Sequence, residues 1–313
     1  MVAAVPGSAR AVRKRTLKPP RLGPGSVIGI AAPAGPFEPA TLDRGVEVLR
    51  AMDFEVVVPD GLFDANGYLA GTDAHRADVL NRLFADPGID AVMCARGGYG
   101  SLRILPLLDY ARMAAQPKAL IGFSDITALL TAVFSRCGLV TFHGPVVTTL
   151  ADASKRTLAG LRAAVASDRP LTVRSEGATA LRTGSASGPV CGGNLTTLCH
   201  LLGTPFAPRF RSRIVFLEDR GEAPYRVDRM LVHMRTAGCF EGIKGLVLGS
   251  FDDCGTPAEI QKIVTDVFQG AQFPILAGVE AGHTEPNLTL PLGVRAALDA
   301  GRRTLEFECA TEG

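Results

Sequence analysis

At 313 residues the chain is long for one domain and comfortable for two, and its 47% hydrophobic and 20% charged residues suit a globular protein with a sizeable core. The formal net charge is only +2, and basic residues without an acid crowd the first positions (Arg10, Arg13, Lys14, Arg15, Lys18, Arg21), so the remainder is slightly acidic and gives nucleic-acid binding little support. No run of about 18 apolar residues exists to span a membrane.

The basic leader, residues 1–24, is broken by Pro19, Pro20 and Pro24 and has no apolar stretch after its charges; it reads as disordered and solvated, and not as a secretory signal. Residues 26–33 then form a short apolar run closed by proline and glycine, the first strand of an α/β domain. Over 39–51, Leu42, Val46 and Leu49 share one helical face, with Asp43, Arg44, Glu47 and Arg50 opposite. Residues 55–59 make a second strand. A charged helix follows over 73–85, with Ala77, Leu80 and Leu83 inward and a stop at Asp86-Pro87-Gly88. Residues 90–95 are the third strand, and they run straight into Arg96-Gly97-Gly98-Tyr99-Gly100 and a helix starting near Ser101. These glycines permit left-handed backbone angles and bring bare N–H groups against a ligand. Their spacing matches neither Gly-x-Gly-x-x-Gly nor a Walker loop, and taken alone a plain glycine turn is the simpler account.

The run 119–123 ends abruptly in Ser124 and Asp125, and Ile126, Leu129, Leu130 and Val133 then repeat at helical spacing: strand, tight turn, helix. A serine so placed has its hydroxyl lifted clear of the sheet, near the first N–H groups of the new helix. Two readings stand here, a nucleophile or a helix cap. Residues 139–145 are a further strand, ending in His143-Gly144-Pro145. Residues 151–187, poor in large apolar side chains, read as a linker.

The second domain opens with Gly188 to Asn194 and an apolar helix over 195–202. The strand 213–218 is apolar on both faces, as buried parallel strands are, and ends on Glu218. A helix over 227–236 follows, then strands 245–250 and 274–280 separated by a helix over 257–268. The last of these strands leads into Gly282-His283, and the chain closes in a hairpin, 288–299 with 304–308. The expected fold class is therefore α/β in two domains: an N-terminal Rossmann-like parallel sheet with flanking helices (25–150) and a C-terminal α/β or mixed-sheet domain (188–313).

Seven cysteines, an odd number with no Cys-x-x-Cys pair, are expected as reduced thiols in a cytoplasmic protein. Five histidines show no metalloprotease pairing, so neither a metal nor another cofactor is expected. His143, before Gly-Pro, and His200, on an apolar helix, read as structural.

Arg96, Ser124, Glu218 and His283 each stand at or just past the carboxyl end of a strand-like run, the edge where open α/β sheets bind ligands. A serine nucleophile needs a base to take its proton, and the base needs an acid to hold its tautomer. Ser124, Glu218 and His283 supply these in the chain order used by α/β-hydrolases. The Gly-x-Ser-x-Gly elbow of those enzymes is only half present, because Ile126 stands at its second glycine.

The same clusters resemble a known family. Arg96-Gly97-Gly98-Tyr99-Gly100, Gly122-Phe123-Ser124-Asp125-Ile126-Thr127, His143-Gly144-Pro145, Gly193-Asn194-Leu195, Phe216-Leu217-Glu218-Asp219 with Tyr225-Arg226-Val227-Asp228-Arg229, and Gly282-His283 with Pro291-Leu292-Gly293 are similar, in order, to blocks of the L,D-carboxypeptidase (muramoyltetrapeptide carboxypeptidase) family of serine peptidases. The resemblance runs from about residue 25 to 308. It implies a cytoplasmic homodimer that removes the terminal D-alanine from murein tetrapeptides, without nucleic-acid or membrane partners. By position it implies Ser124 as nucleophile, His283 as general base and Glu218 as its orienting acid. The N–H groups of Gly98 and Asp125 would form the oxyanion hole.

A carboxypeptidase must also bind a terminal carboxylate, for which a guanidinium is suited. Arg96 is the candidate, with bracing of the glycine loop as the other reading. Tyr99 and Tyr225 are candidate pocket residues; Asn194 is either a helix cap or a substrate contact. Glu222 is the other acid near Glu218, which is preferred for its matching block. A second branch of the family cleaves aminoacyl-nucleotide antibiotics of the microcin C type and uses an aromatic residue, notably tryptophan, to stack the base; this chain has no tryptophan. A non-catalytic peptide-binding protein on the same scaffold predicts a decayed triad, whereas all three residues are present.

Overall fold

A computed structural model describes residues 16–312. The strands Ala91–Cys94 and Ala119–Gly122 are buried at every position, as their unbroken apolar sequences require of strands covered on both faces. They are the middle of a six-stranded sheet whose order is Leu290–Leu292, Thr141–His143, Ala119–Gly122, Ala91–Cys94, Val27–Ala31, Glu55–Val57. All neighbours in it are parallel except the first pair, in which Leu290 to Leu292 run antiparallel to Thr141 to His143. The helices Pro39–Ala51, Asp73–Ala85 and Thr127–Cys137 form where the amphipathic spacing places them.

The second sheet has eight strands in the order Leu171–Arg174, Thr304–Phe307, Arg295–Asp299, Ser185–Asn194, Ile214–Arg220, Gly245–Asp252, Ile275–Ala277, Thr179–Arg182. Its centre is parallel and its flanks are antiparallel, so the mixed-sheet alternative for the second domain is the one realised. The strand Ser185–Asn194 joins the two regimes: its first half pairs antiparallel with Arg295–Asp299, its second half parallel with Ile214–Arg220.

Three sequence readings differ from the structure. The stretch expected as a linker holds the helix Lys155–Val165 and the two edge strands of the second sheet, because short strands of mixed composition are stabilised by pairing and not by their own pattern. The expected hairpin is shorter, Arg295–Asp299 with Thr304–Phe307, while Leu290–Leu292 returns to the first sheet. The leader is ordered from Thr16: Leu17 exchanges backbone hydrogen bonds with the chain at Gly138 and Val140, and Leu22 is 2% exposed. Residues 1–15 of that leader lie outside the described residues. Among the described residues no helix is long and apolar enough to cross a membrane.

One close approach fixes the first domain's packing. Gly45, inside the helix Pro39–Ala51, faces the 3₁₀ turn Val147–Asp152; a Cβ there would lie 2.0 Å from the Val147 carbonyl oxygen. Alanine is the better helix former by about 1 kcal/mol, but backbone cannot yield as a side chain does. Gly45→Ala is expected to destabilise the protein by about 1–3 kcal/mol net, read as a lower denaturation midpoint. An unchanged or raised midpoint would show that the two segments have room to part.

Candidate active site

Ser124 follows the buried strand Ala119–Gly122 after one extended residue, Phe123, and takes φ = +63°. A serine in the left-handed region is uncommon and costs on the order of 1 kcal/mol or more, so the turn must be held by its surroundings. Two glycines make the room. A Cβ on Gly122 would meet Ile126 at 2.9 Å, and one on Gly97 would meet the Ser124 Cβ at 2.9 Å and its Oγ at 3.1 Å. The helix-cap reading of Ser124 fails: Phe123 and Ile126 occupy the cap positions of the 3₁₀ turn and of the helix, and neither has a side-chain cap bond.

His283 lies beyond the strand Ile275–Ala277, on a loop whose backbone is held at Gly282 and at His283 itself. Its N–H donates to Ser250 Oγ at 2.8 Å, and the N–H of Gly282 donates to Asn287 Oδ1 at 2.9 Å. Gly282 has φ = +123°, and a Cβ there would stand 2.5 Å from Ser250 Oγ and 2.7 Å from Glu218 Oε2. The ring's Nδ1 is 2.6 Å from Glu218 Oε2. A carboxylate only accepts, so this bond requires the proton on Nδ1; in the neutral ring that tautomer has its lone pair on Nε2. Glu218 is fully buried near the end of Ile214–Arg220, with no partner for its Oε1 among the described residues. The Phe123 ring, 4.8 Å from the imidazole, brings His283 beside the residue that precedes Ser124.

Ser124 and His283 face one cleft of about 640 Å³, which Gly98, Asp125 and Asn194 also line. No direct hydrogen bond joins the two among the described residues, and such bonds commonly tighten only when substrate enters. The Gly98 N–H and the Asp125 N–H donate to no backbone oxygen in the turns and loops of the described residues. Asp125 turns its carboxylate away to accept the Ser101 N–H at 2.8 Å; burial raises its pKa above the usual carboxylate value.

The remaining candidates divide. Asn194 is spent structurally: its Oδ1 caps the helix Leu195–His200 at the Thr197 N–H (3.0 Å), and its Nδ2 donates to Asp219 at 2.9 Å. Asp219 also accepts from the Thr196 N–H and hydroxyl and from the Arg220 N–H, yet burial still raises its pKa. Arg96 is exposed, donates to the Pro36 carbonyl at 2.5 Å and is absent from the cleft wall, so it braces the loop. Tyr225 is 58% exposed, lies under the Arg229 guanidinium at 5.2 Å and is also off that wall. Tyr99 is on the wall, paired with Tyr68 at 5.6 Å between centroids. Glu222 is on it too, 3.5 Å from Arg226 and with no bond to His283.

Two basic wall residues were not expected there: His200, which reads from the sequence as structural, and Arg220, which no motif singles out. His200 is exposed on the cleft and not buried in its helix's apolar face; Arg220 stands two residues after Glu218 on the same strand, which was the available signal. His143 is fully buried against Phe123 and Phe216 with neither ring nitrogen partnered among the described residues, and burial, helped by nearby His283, pulls its pKa down to about 3. Among the described residues no group of three or more His, Cys, Asp or Glu is placed to hold a metal ion.

A family model for the LD-carboxypeptidase N-terminal domain matches residues 28–144, and one for the LD-carboxypeptidase C-terminal domain matches residues 187–298. A Streptomyces coelicolor protein provisionally named a carboxypeptidase is 41% identical over 94% of this chain and 97% of its own. The probable murein peptide carboxypeptidase of Bacillus subtilis is 35% identical over 93% and 94%. The microcin C7 self-immunity protein MccF of Escherichia coli is 30% identical over 90% and 93%. A solved structure of MccF in complex with glutamyl sulfamoyl guanosine matches with a TM-score of 0.87 at 28% identity, over 95% of this chain and 99% of that one.

His143 makes the site's surroundings sensitive to acid. The unfolded imidazole titrates near 6.5 and the folded one near 3, so between those values the unfolded chain binds the extra proton. The contribution of a neutral His143 is complete above about pH 6.5 and is lost as pH falls toward 3, with a slope of at most about 1.4 kcal/mol per unit. His143→Leu should therefore gain unfolding free energy relative to the wild type as pH is lowered from about 7 to about 4. Parallel stability curves for the two proteins would contradict this.

Proposed function

The chain belongs to the LD-carboxypeptidase family, whose two domain models cover most of it, and from that premise we propose that it is a serine-type L,D-carboxypeptidase. Its substrate is a murein tetrapeptide, from which it releases the terminal D-alanine, and its setting is cell-wall recycling by a cytoplasmic homodimer. The observation that carries the reading is the 2.6 Å bond from buried Glu218 to His283, on a cleft into which strained Ser124 also opens.

In this mechanism the Nε2 of His283 takes the proton of the Ser124 hydroxyl as Oγ attacks the carbonyl carbon before the terminal residue. The oxyanion is received by the N–H groups of Gly98 and Asp125, each worth about 3 kcal/mol in the transition state. Glu218 stabilises the imidazolium without taking its proton. The intermediate collapses as His283 gives that proton to the departing amine, which leaves as D-alanine. Water, deprotonated by the same nitrogen, then attacks the acyl-enzyme and frees Ser124. Because nucleophile and base come from different sheets, neither half of the chain is active alone.

A second reading has one observation in its favour. Tyr99 on the cleft wall and Tyr68 beside it are exposed rings that could stack a nucleobase, and MccF is solved with an aminoacyl-nucleotide analogue. Parallel incubation with a murein tetrapeptide and an aminoacyl sulfamoyl adenosine decides between them. The expected outcome is D-alanine release, with kcat lowered about 10⁴-fold or more in Ser124→Ala and His283→Ala and about 10⁴-fold in Glu218→Gln. Cleavage of the nucleotide analogue alone would transfer the assignment to the second reading, and cleavage of neither would remove both.

A further inference from the structure

We propose that Arg220 is the residue that recognises the substrate's free terminal carboxylate, a specificity role that rests on the peptidase reading above. Three observations converge on it. A carboxypeptidase leaving group carries a full negative charge, which a cleft partly shielded from water must meet with a fixed positive one. Among the described residues lining the cleft, Arg220 is the one arginine or lysine, since Arg96 is turned to the Pro36 carbonyl. The Arg220 backbone is also anchored, its N–H donating to Asp219 at 2.8 Å on the strand that carries Glu218.

The guanidinium is presented in a usable way. Its Nε lies 3.2 Å from Asp252 Oδ2, the residue paired with Arg220 in register on the adjacent strand. That contact holds one edge of the group. The two Nη nitrogens enter no hydrogen bond among the described residues, so the outer edge is open to a bidentate carboxylate. The side chain is 62% exposed and Asp252 is 32% exposed; an ion pair so placed contributes little, and reorienting the head toward a ligand costs correspondingly little. Asp252 is the one acid paired with it among the described residues; Asp219 and Glu222 of the cleft wall are engaged elsewhere. Asp219 is committed to Asn194, Thr196 and the Arg220 backbone, and Glu222 faces Arg226. Glu222 would repel a carboxylate placed on its side of the wall, which confines the anion to Arg220.

The test separates recognition from turnover by using Ser124→Ala, which holds peptide without cleaving it. Calorimetry measures its affinity for a murein tetrapeptide ending in D-alanine and for the same peptide ending in D-alaninamide, with and without Arg220→Gln. The free acid is expected to bind about 10- to 100-fold more tightly than the amide, the range of a charge-assisted bidentate pair. Arg220→Gln should bring that ratio close to one, and Arg220→Lys, a point charge without the fork, should restore part of it. In the otherwise wild-type enzyme, Arg220→Gln should raise KM far more than it lowers kcat. A ratio left intact by Arg220→Gln, or no preference for the acid in the parent, would overturn the assignment of Arg220. If the wild type cleaves neither peptide while the ratio behaves as expected, Arg220 stands as a carboxylate site and the peptidase reading falls.

Discussion

The hydrogen bond between the Glu218 carboxylate and Nδ1 of His283 is the constraint around which this molecule is arranged. A fully buried carboxylate is costly unless partnered, and here the imidazole is its one partner among the described residues. Many features elsewhere serve that contact. Gly282 lacks a side chain because any Cβ would strike Glu218 and Ser250; Ser250 and Asn287 hold the loop's backbone. The helix Lys155–Val165 then anchors the far side of the loop: Thr157 donates to Glu285 at 2.6 Å and accepts the Asn287 N–H, while Arg156 grips Glu280.

The Ser124 side is built on a different principle, strain relieved by absence. Ser124 keeps a left-handed angle because Gly97 and Gly122 leave space that any side chain would fill. The neighbouring carboxylates are drawn into the protein, Asp125 to the Ser101 N–H and Asp219 to the Asn194–Thr196 corner, so they act as scaffolding for the wall. The wall that results carries Ser124 and His283 together with Tyr99, His200, Arg220 and Glu222.

The fold was legible wherever a segment's own pattern decided its state. The apolar runs at 119–122 and 91–94 and the amphipathic helices 39–51 and 73–85 form where periodicity puts them, because burial of those faces is their main stabilisation. Strands 171–174 and 179–182 were not legible, since their pairing partners are remote in sequence and their own patterns are weak. Of the positions singled out at strand ends, Ser124 and His283 line one cleft and Glu218 bonds to His283, while Arg96 is off that wall. Arg96 and Arg220 are alike by residue type; the structure separates them, Arg96 donating to the Pro36 carbonyl off the cleft wall and Arg220 standing on that wall with its Nε beside Asp252. Asn194 similarly carried two readings until its amide was seen to be used at both ends.

The central claim is that Glu218 keeps the His283 proton on Nδ1 and so leaves Nε2 basic toward Ser124. It is tested most directly by nitrogen NMR of the protein labelled at its histidine rings, at a pH where the His283 ring is neutral. The account predicts an Nδ1–H tautomer that is lost or mixed in Glu218→Ala. A neutral His283 found as the Nε2–H tautomer, or one indifferent to removal of the Glu218 carboxylate, would contradict it.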